Sequence, residues 1–239
     1  MSVRRAAALL LLAGLASCAP AAKGDGVGVV RRSVAAERFT GVTTGSGIDV
    51  QIARSDAWAV ELAADRQVID RIVVEKRGEV LWIGLPDGVF ARGRFLASQA
   101  RVLISIPGLE RLEAGGGSRV QIGMNQPETD LEVILSGGSS LAGTLVCADL
   151  SISGSGGSVF QLSGSAAHAA LSGSGGSHLR LSSLQAISVD VELSGRSTAA
   201  LSVSERLSVT ASGGSGVAFR GDARVERQEL SGGAWLRRE

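Results

Sequence analysis

The stretch LSGGSSLAGTLVCADLSISGSGGSVFQLSGSAAHAALSGSGGSHLRL, residues 135–181, decides the fold. Three Gly/Ser corners interrupt short runs in which apolar and polar residues alternate, the period of a half-buried β-strand. Glycine takes positive φ at low steric cost, and a neighbouring serine hydrogen-bonds turn backbone or stacks in a ladder. These Gly/Ser runs therefore read as corners rather than as a linker.

The same pattern extends in both directions. It runs LEAGGGSRVQI (112–122), LSGGSSLAGTL (135–145), ISGSGGSVFQL (152–162), LSGSGGSHLRL (171–181), LSGRSTAALSV (193–203), ASGGSGVAFRG (211–221) and LSGGAWLRRE (230–239). The starts are separated by 23, 17, 19, 22, 18 and 19 residues, a mean of about 20. TGSGIDVQI (44–52) is a candidate displaced copy. A repeat of this length holds two or three short strands, which predicts an all-β solenoid whose rungs stack by hydrogen bonding. At about 4.8 Å per rung the aliphatic side chains form a column roughly 30 Å long, with Leu162, Leu171, Leu181, Leu193 and Leu201 as its candidate members. An antiparallel β-sandwich is the alternative that the strand and turn spacing allows.

Upstream, IDVQI (48–52), WAVELA (58–63), RIVVEK (71–76), EVLWIGL (79–85) and RVLISI (101–106) read as further strands, with a brief helical turn near Val68 to Arg71. The domain is expected over 37–239, with non-repetitive strands at 37–111 and rungs at 112–239.

The N-terminus carries an address. Arg4 and Arg5 precede the apolar run AAALLLLAGLA (6–16), the pattern of an export signal and too short for a stable membrane span. Leu15-Ala16-Ser17-Cys18 has the form of a bacterial lipobox, so residues 1–17 read as a lipoprotein signal peptide and Cys18 as the lipidated residue. A second possibility is an ordinary signal cut near Ala19-Pro20-Ala21. Residues 18–36 are rich in Pro, Gly and small side chains and read as a flexible tether. The expected location is the cell envelope, lipid-anchored, with Ala19 favouring the outer membrane over the inner.

Composition excludes several classes. Charged residues are 20% and the formal net charge is +1, so nothing suggests a nucleic-acid partner. Once Cys18 is lipidated only Cys147 remains, and no intramolecular disulfide can form. Cys147 alternates with Leu145 on one face and reads as a small buried hydrophobe. His168 and His178 have no Cys or acid at metal-ligand spacing in the sequence.

The lipobox, RFTGVTTGSGIDVQIARSDAWAVELAAD (38–65), GEVLWIGL (78–85), VLISIPGLERLEAGGGSRV (102–120) and the SGSGG repeats together resemble the bacterial family called "putative auto-transporter adhesin, head GIN domain". The resemblance spans roughly 37 to 235. It implies a single-stranded, pectin-lyase-like β-helix on an envelope lipoprotein or secreted protein, with adhesion as the named role, and it brings no catalytic or ligand residues.

A glycan-active enzyme on such a solenoid needs clustered acids on one face. Asp149, Asp190, Glu192, Glu205 and Asp222 fall at different phases of the repeat, so no carboxylate pair is expected. Ser158 and Ser177 stand where a calcium-binding nonapeptide needs aspartate. No serine has glycine at both −2 and +2, and neither GxGxxG nor GKS/T occurs, which removes the serine-hydrolase elbow and nucleotide loops. Phe160, Phe219 and Trp235 are too scattered for a sugar-stacking platform and read as core or cap residues. No catalytic residue, metal site or cofactor is assigned. The candidate binding loop is PDGVFARGRFLASQ (86–99), through Phe90, Arg92, Arg94 and Phe95. The expected function is a non-enzymatic adhesin or binding module with an unassigned glycan or protein ligand. A periplasmic structural or stress-accessory lipoprotein is the alternative, with a glycan-active β-helix enzyme ranked after it.

Overall fold

A computed structural model describes residues 28–86 and 100–239. The chain forms β1 (Val29–Val34), β2 (Gly41–Thr44), β3 (Asp49–Arg54), β4 (Ala59–Asp65), the single turn α1 (Arg66–Ile69), β5 (Val73–Arg77), β6 (Val80–Gly84) and β7 (Arg101–Ile106). The repeats follow as β8 (Arg111–Ala114), β9 (Arg119–Gln126), β10 (Leu131–Leu135), β11 (Ser140–Gly154), β12 (Val159–Gly173), β13 (His178–Leu193) and β14 (Thr198–Ala211). The last turn is β15 (Gly216–Arg220), β16 (Arg224–Leu230) and β17 (Trp235–Arg238).

The architecture is an all-β solenoid of about seven turns. Each long strand bends twice and contributes to three faces. In β11, residues 150–154 stack in parallel register on β10, residues 140–147 on β9, and the whole strand on β12. We call the face that leads into the glycine corner the first face, the one that leaves it the second, and the short stretch at 144–147 and 163–166 the third. Strictly parallel stacking makes every inward residue the neighbour of its equivalent one rung away.

The expected single aliphatic column is in fact several. Leu181 pairs with Leu201 and Leu201 with Phe219 on the second face. Leu171 lies between Ile152 and Val191 on the first face, and Leu193 lies between Gly173 and Ala211 one step along it. All are at most 4% exposed. The bends divide the interior because a rung of about 20 residues presents two or three inward positions on each face.

The glycine corners stack as well. Their fourth residue points inward and builds a row of Ser118, Ser139, Ser158, Ser177, Ser197 and Ser215, each 0% exposed. Most satisfy the hydroxyl within their own turn: Ser139 Oγ donates to Ser136 O at 2.8 Å, and Ser177 Oγ to Ser174 O at 2.8 Å. Burial of a hydroxyl is tolerable only with such a partner. The corner's second residue meets the rung before it: a Cβ on Gly195 would stand 3.0 Å from Gly175 N. Its third residue faces open space, which is why Arg196 replaces glycine there despite a φ of 69°.

TGSGIDVQI is a full rung. β2 pairs with β8 and β3 with β9, both parallel, and Ile48 takes the inward corner position at 0% exposed. Above it β6 and β7 continue the two faces in parallel, and antiparallel β5, β4 and β1 close the end. Phe39, Ile106 and Leu109 fill that end at 0% exposed, and Trp58 Nε1 donates to Phe39 O at 3.1 Å. The buried Gln126 amide caps the passing loop by accepting from Leu109 N at 3.0 Å and donating to Leu109 O at 2.6 Å.

One expectation is corrected here. The segment 18–36, read as a tether, contains β1, which pairs with β4 from Val29↔Asp65 to Val34↔Val60. Its Val-Val and Ser-Val pairs supply β-propensity that the neighbouring glycines and prolines obscured. The helical turn starts at Arg66, where the Asp65 carboxylate accepts from Gln67 N at 2.8 Å, rather than at Val68.

The opposite end is blunted chemically. Gln228 stands in register with the buried Val209, and Arg238 with the buried Phe219, so polar side chains occupy the last inward positions. The Arg238 guanidinium lies over the Phe219 ring, 5.0 Å from its centroid, and donates to Ala223 O. Terminal repeats of solenoids use polar residues in this way to stop stacking. Trp235 lies over Gly216, where a Cβ would stand 2.1 Å from the indole, and remains 42% exposed.

Candidate functional site

Two outward regions concentrate polar chemistry. The first is a groove of about 330 Å³ on the first face beside the corners, lined by Ser153, Ser172, Glu192, Thr210 and the corner serines Ser155, Ser174, Ser194 and Ser212. Alternation within β11–β14 turns these side chains outward, and parallel register repeats them at the rung spacing of about 4.8 Å. Ser153 Oγ and Ser172 Oγ are 3.0 Å apart, and Ser172 Oγ also lies 3.4 Å from Ile152 O. The remaining hydroxyl valences face solvent, giving a shallow array of donors and acceptors with Glu192 as its charge.

The second is a recess of about 680 Å³ at the bend between third and first faces, lined by Glu110, Glu128, Asp130, Glu132, Asp149 and His168. Asp149, Asp190 and Glu192 do hold different register positions, but the expectation that no carboxylate pair shares a face is corrected by Asp130, which lay outside that set of acids. Asp149 N donates to Asp130 Oδ1 at 3.1 Å, which places the two carboxylates on successive rungs in one row. The rung containing them is 19 residues long rather than the mean, and the phase emerges only from the register. Asp190 and Glu192 likewise both project from the outer side of β13.

His168 acquires the acid its sequence neighbourhood lacks. Its Nδ1 is 2.9 Å from Ser188 Oγ and its Nε2 is 3.5 Å from Asp190 Oδ2, both on the next rung. A hydroxyl, an imidazole and a carboxylate in series suggest a nucleophile with its base. However, Ser188 is 8% exposed in mid-strand, and the strand pairs on both sides, so neighbouring N–H groups serve the ladder rather than an oxyanion. His178 Nδ1 lies 2.9 Å from Thr198 Oγ1. Among the described residues no group of three or more His, Cys, Asp or Glu is arranged to hold a metal ion.

Cys147 is buried beside Asp130 and Asp149. Burial, with added repulsion from those two carboxylates, pushes its thiol up to about 12. It is therefore a protonated core group with no nucleophilic role. Phe160 is wholly buried in the second-face core and Phe219 nearly so. The lipidation candidate Cys18 and the loop candidates Phe90, Arg92, Arg94 and Phe95 lie outside the described residues. Sequence reading missed the serine groove because its members belong to four different repeats.

With this geometry the chain belongs to the family described as "Putative auto-transporter adhesin, head GIN domain", whose model matches residues 38–223. Several solved structures share the fold, three of which follow. One is a "putative adhesin" from Bacteroides fragilis NCTC 9343, with TM-score 0.74, 16% identity, and 88% of this chain and 96% of that chain covered. Another is a "Putative lipid binding protein" from Parabacteroides distasonis ATCC 8503, with TM-score 0.69, 13% identity, and coverage of 90% and 98%. The third is a "putative adhesin" from Parabacteroides merdae ATCC 43184, with TM-score 0.64, 17% identity, and coverage of 90% and 98%. Among curated proteins none matches the chain.

Proposed function

We propose that this protein is a non-enzymatic, adhesin-like binding module, held at the cell envelope by a lipid on Cys18, and that it engages a hydroxyl-rich ligand such as a glycan through the serine groove of the first face. The observation that carries this reading is the array of Ser153, Ser172, Thr210 and the corner serines at regular rung spacing around Glu192. A sugar presents hydroxyls on several sides, and a rigid sheet that repeats hydrogen-bonding groups meets them with little ordering cost. Family membership and the adhesin-named neighbours support the class.

One neighbour is named for lipid binding, but the described interior of this chain is packed with its own side chains. The interior columns are filled by side chains such as Phe160, Leu179 and Leu141, each at most 1% exposed. A polysaccharide-binding measurement on the full chain tests the reading. Ser172→Leu and Glu192→Ala should abolish retention on immobilised envelope or host glycans while leaving the β-sheet circular dichroism unchanged. Unaltered retention in both variants would move the site elsewhere. Protease accessibility on intact and permeabilised cells, compared with a Cys18→Ala strain, tests the location: digestion only after permeabilisation would favour a periplasmic structural role.

A further inference from the structure

Just past the bend between third and first faces, one row climbs the solenoid one residue per rung: Asp130, Asp149, His168, Ser188, Arg206, Arg224, of which Ser188 is buried against His168. Strand register fixes the last five as successive neighbours, and the 3.1 Å bond from Asp149 N to Asp130 Oδ1 attaches the first. The next outward row on the same face runs Arg111, Glu132, Ser151, Ala170, Asp190, Ser208, Arg227, and within the chain Arg111 already pairs with Glu132. The first row opens with carboxylate and closes with guanidinium across five rung steps, about 24 Å, and the second carries Glu132 and Arg227 at the same two outer levels. Asp149, Arg206, Arg224 and Arg227 are exposed, and among the described residues none of them makes a salt bridge. At the middle of the ridge, on the rung of Ser188, Ile187 is 46% exposed.

We propose that this ridge is a two-fold interface with a second copy of the same chain, the two solenoids lying antiparallel. An axis between the rungs of His168 and Ser188 brings Asp130 level with Arg224 of the second copy, Asp149 with Arg206, and Glu132 with Arg227. Each contact occurs twice, as an isologous interface requires. The centre sets Ile187 level with Ala167 and Asp190 level with Ala170, small side chains that let the two ridges approach. Glu205, the acid beside Arg206, comes level with the uncharged Ala148, whereas Asp222 comes level with Glu128 at the outer end, one like-charge contact against three opposite ones in each half of the interface. A parallel arrangement would instead set carboxylate against carboxylate and arginine against arginine, so the charge order selects the antiparallel one.

The test is a charge exchange in the full chain. Two differently tagged copies, each carrying Ile187→Cys, are co-expressed, treated with a short bis-maleimide and scored for hetero-tag cross-links, with copies lacking Ile187→Cys as the background. Parent chains should cross-link, and the yield should fall as salt is raised. Asp149→Arg paired with itself, and Arg206→Asp paired with itself, should each lose roughly tenfold or more of the yield, because each puts two like-charge contacts into one interface. Asp149→Arg mixed with Arg206→Asp should cross-link like the parent, since both contacts are then opposite in sign. Recovery in the mixture also shows that both variants fold. No cross-link between parent chains, full yield in either self-pair, or no recovery in the mixture between chains of parental circular dichroism overturns the proposal.

Discussion

The backbone N–H of Ser177 donates to the hydroxyl oxygen of Ser197 at 3.2 Å, joining two corners twenty residues apart inside the protein. Ser177 also donates its own hydroxyl to Ser174 O. The row to which both belong is a polar seam in a mainly apolar interior, and it ends in Ile48 on one side and Ala234 on the other. Ser177→Ala should cost about 1 kcal/mol, the net worth of one hydrogen bond. Ser177→Asp, an ion with no cation beside it, should cost roughly 3 kcal/mol or more. Urea unfolding of both variants checks this, and an innocuous aspartate would mean that the row is open to water.

Two glycines of positive φ should respond very differently to alanine. A Cβ on Gly164 would stand 1.9 Å from Leu145 O, at a φ of +118°, whereas one on Gly176 meets nothing within 4 Å. Gly176→Ala should lose only about 1–2 kcal/mol, the cost of left-handed backbone. Gly164→Ala should lose about 4 kcal/mol or fail to fold, because the ladder itself must move. Denaturation midpoints of the pair provide the comparison.

Cys147 gives a pH test with a definite sign. Its folded thiol is held up to about 12, while an unfolded thiol ionises at its ordinary value near 9. The folded state therefore keeps a proton that the unfolded state releases, and stability that is complete below the unfolded value is lost as pH rises from about 9 toward 12. Cys147→Ala should flatten that loss by up to about 1.4 kcal/mol per pH unit. Ala166 and Ala186 occupy the same inward row, so alanine fits there. The chain has no tyrosine to obscure the titration. Identical alkaline slopes for variant and parent would refute the assignment.

The C-terminal rung should be convertible into an adhesive end. Replacing Arg238 and Gln228 together by leucine and valine extends two apolar columns to the last open strand edge. Light scattering should then show concentration-dependent end-to-end association absent from the parent. A doubly substituted chain that stays monodisperse would place the block elsewhere, for instance at Glu226 and Glu229.

How far the sequence reveals this depends on range. The corners, the alternating runs and the buried leucines are local patterns, and they specify strands, turns and stacking. Division of the core among three faces was not legible, since it depends on where bends such as Gly143 and Gly164 fall within a strand. The meeting of Asp130 with Asp149, and of His168 with Asp190, likewise depends on registers set by rungs of unequal length. β1 was hidden for another reason: a short edge strand carries almost no periodic signal until β4 is present to pair with it.

The closed end and the blunted end make the molecule directional, like a polymer with a fixed seed and one site of growth. Between them, each rung presents to its successor the same backbone donors and acceptors that it received. A gene that duplicates one unit, for example 155–173, therefore lengthens the surface by one layer and leaves both termini in their roles. Reach and the number of presented groups can change in whole steps, without the invention of a new core.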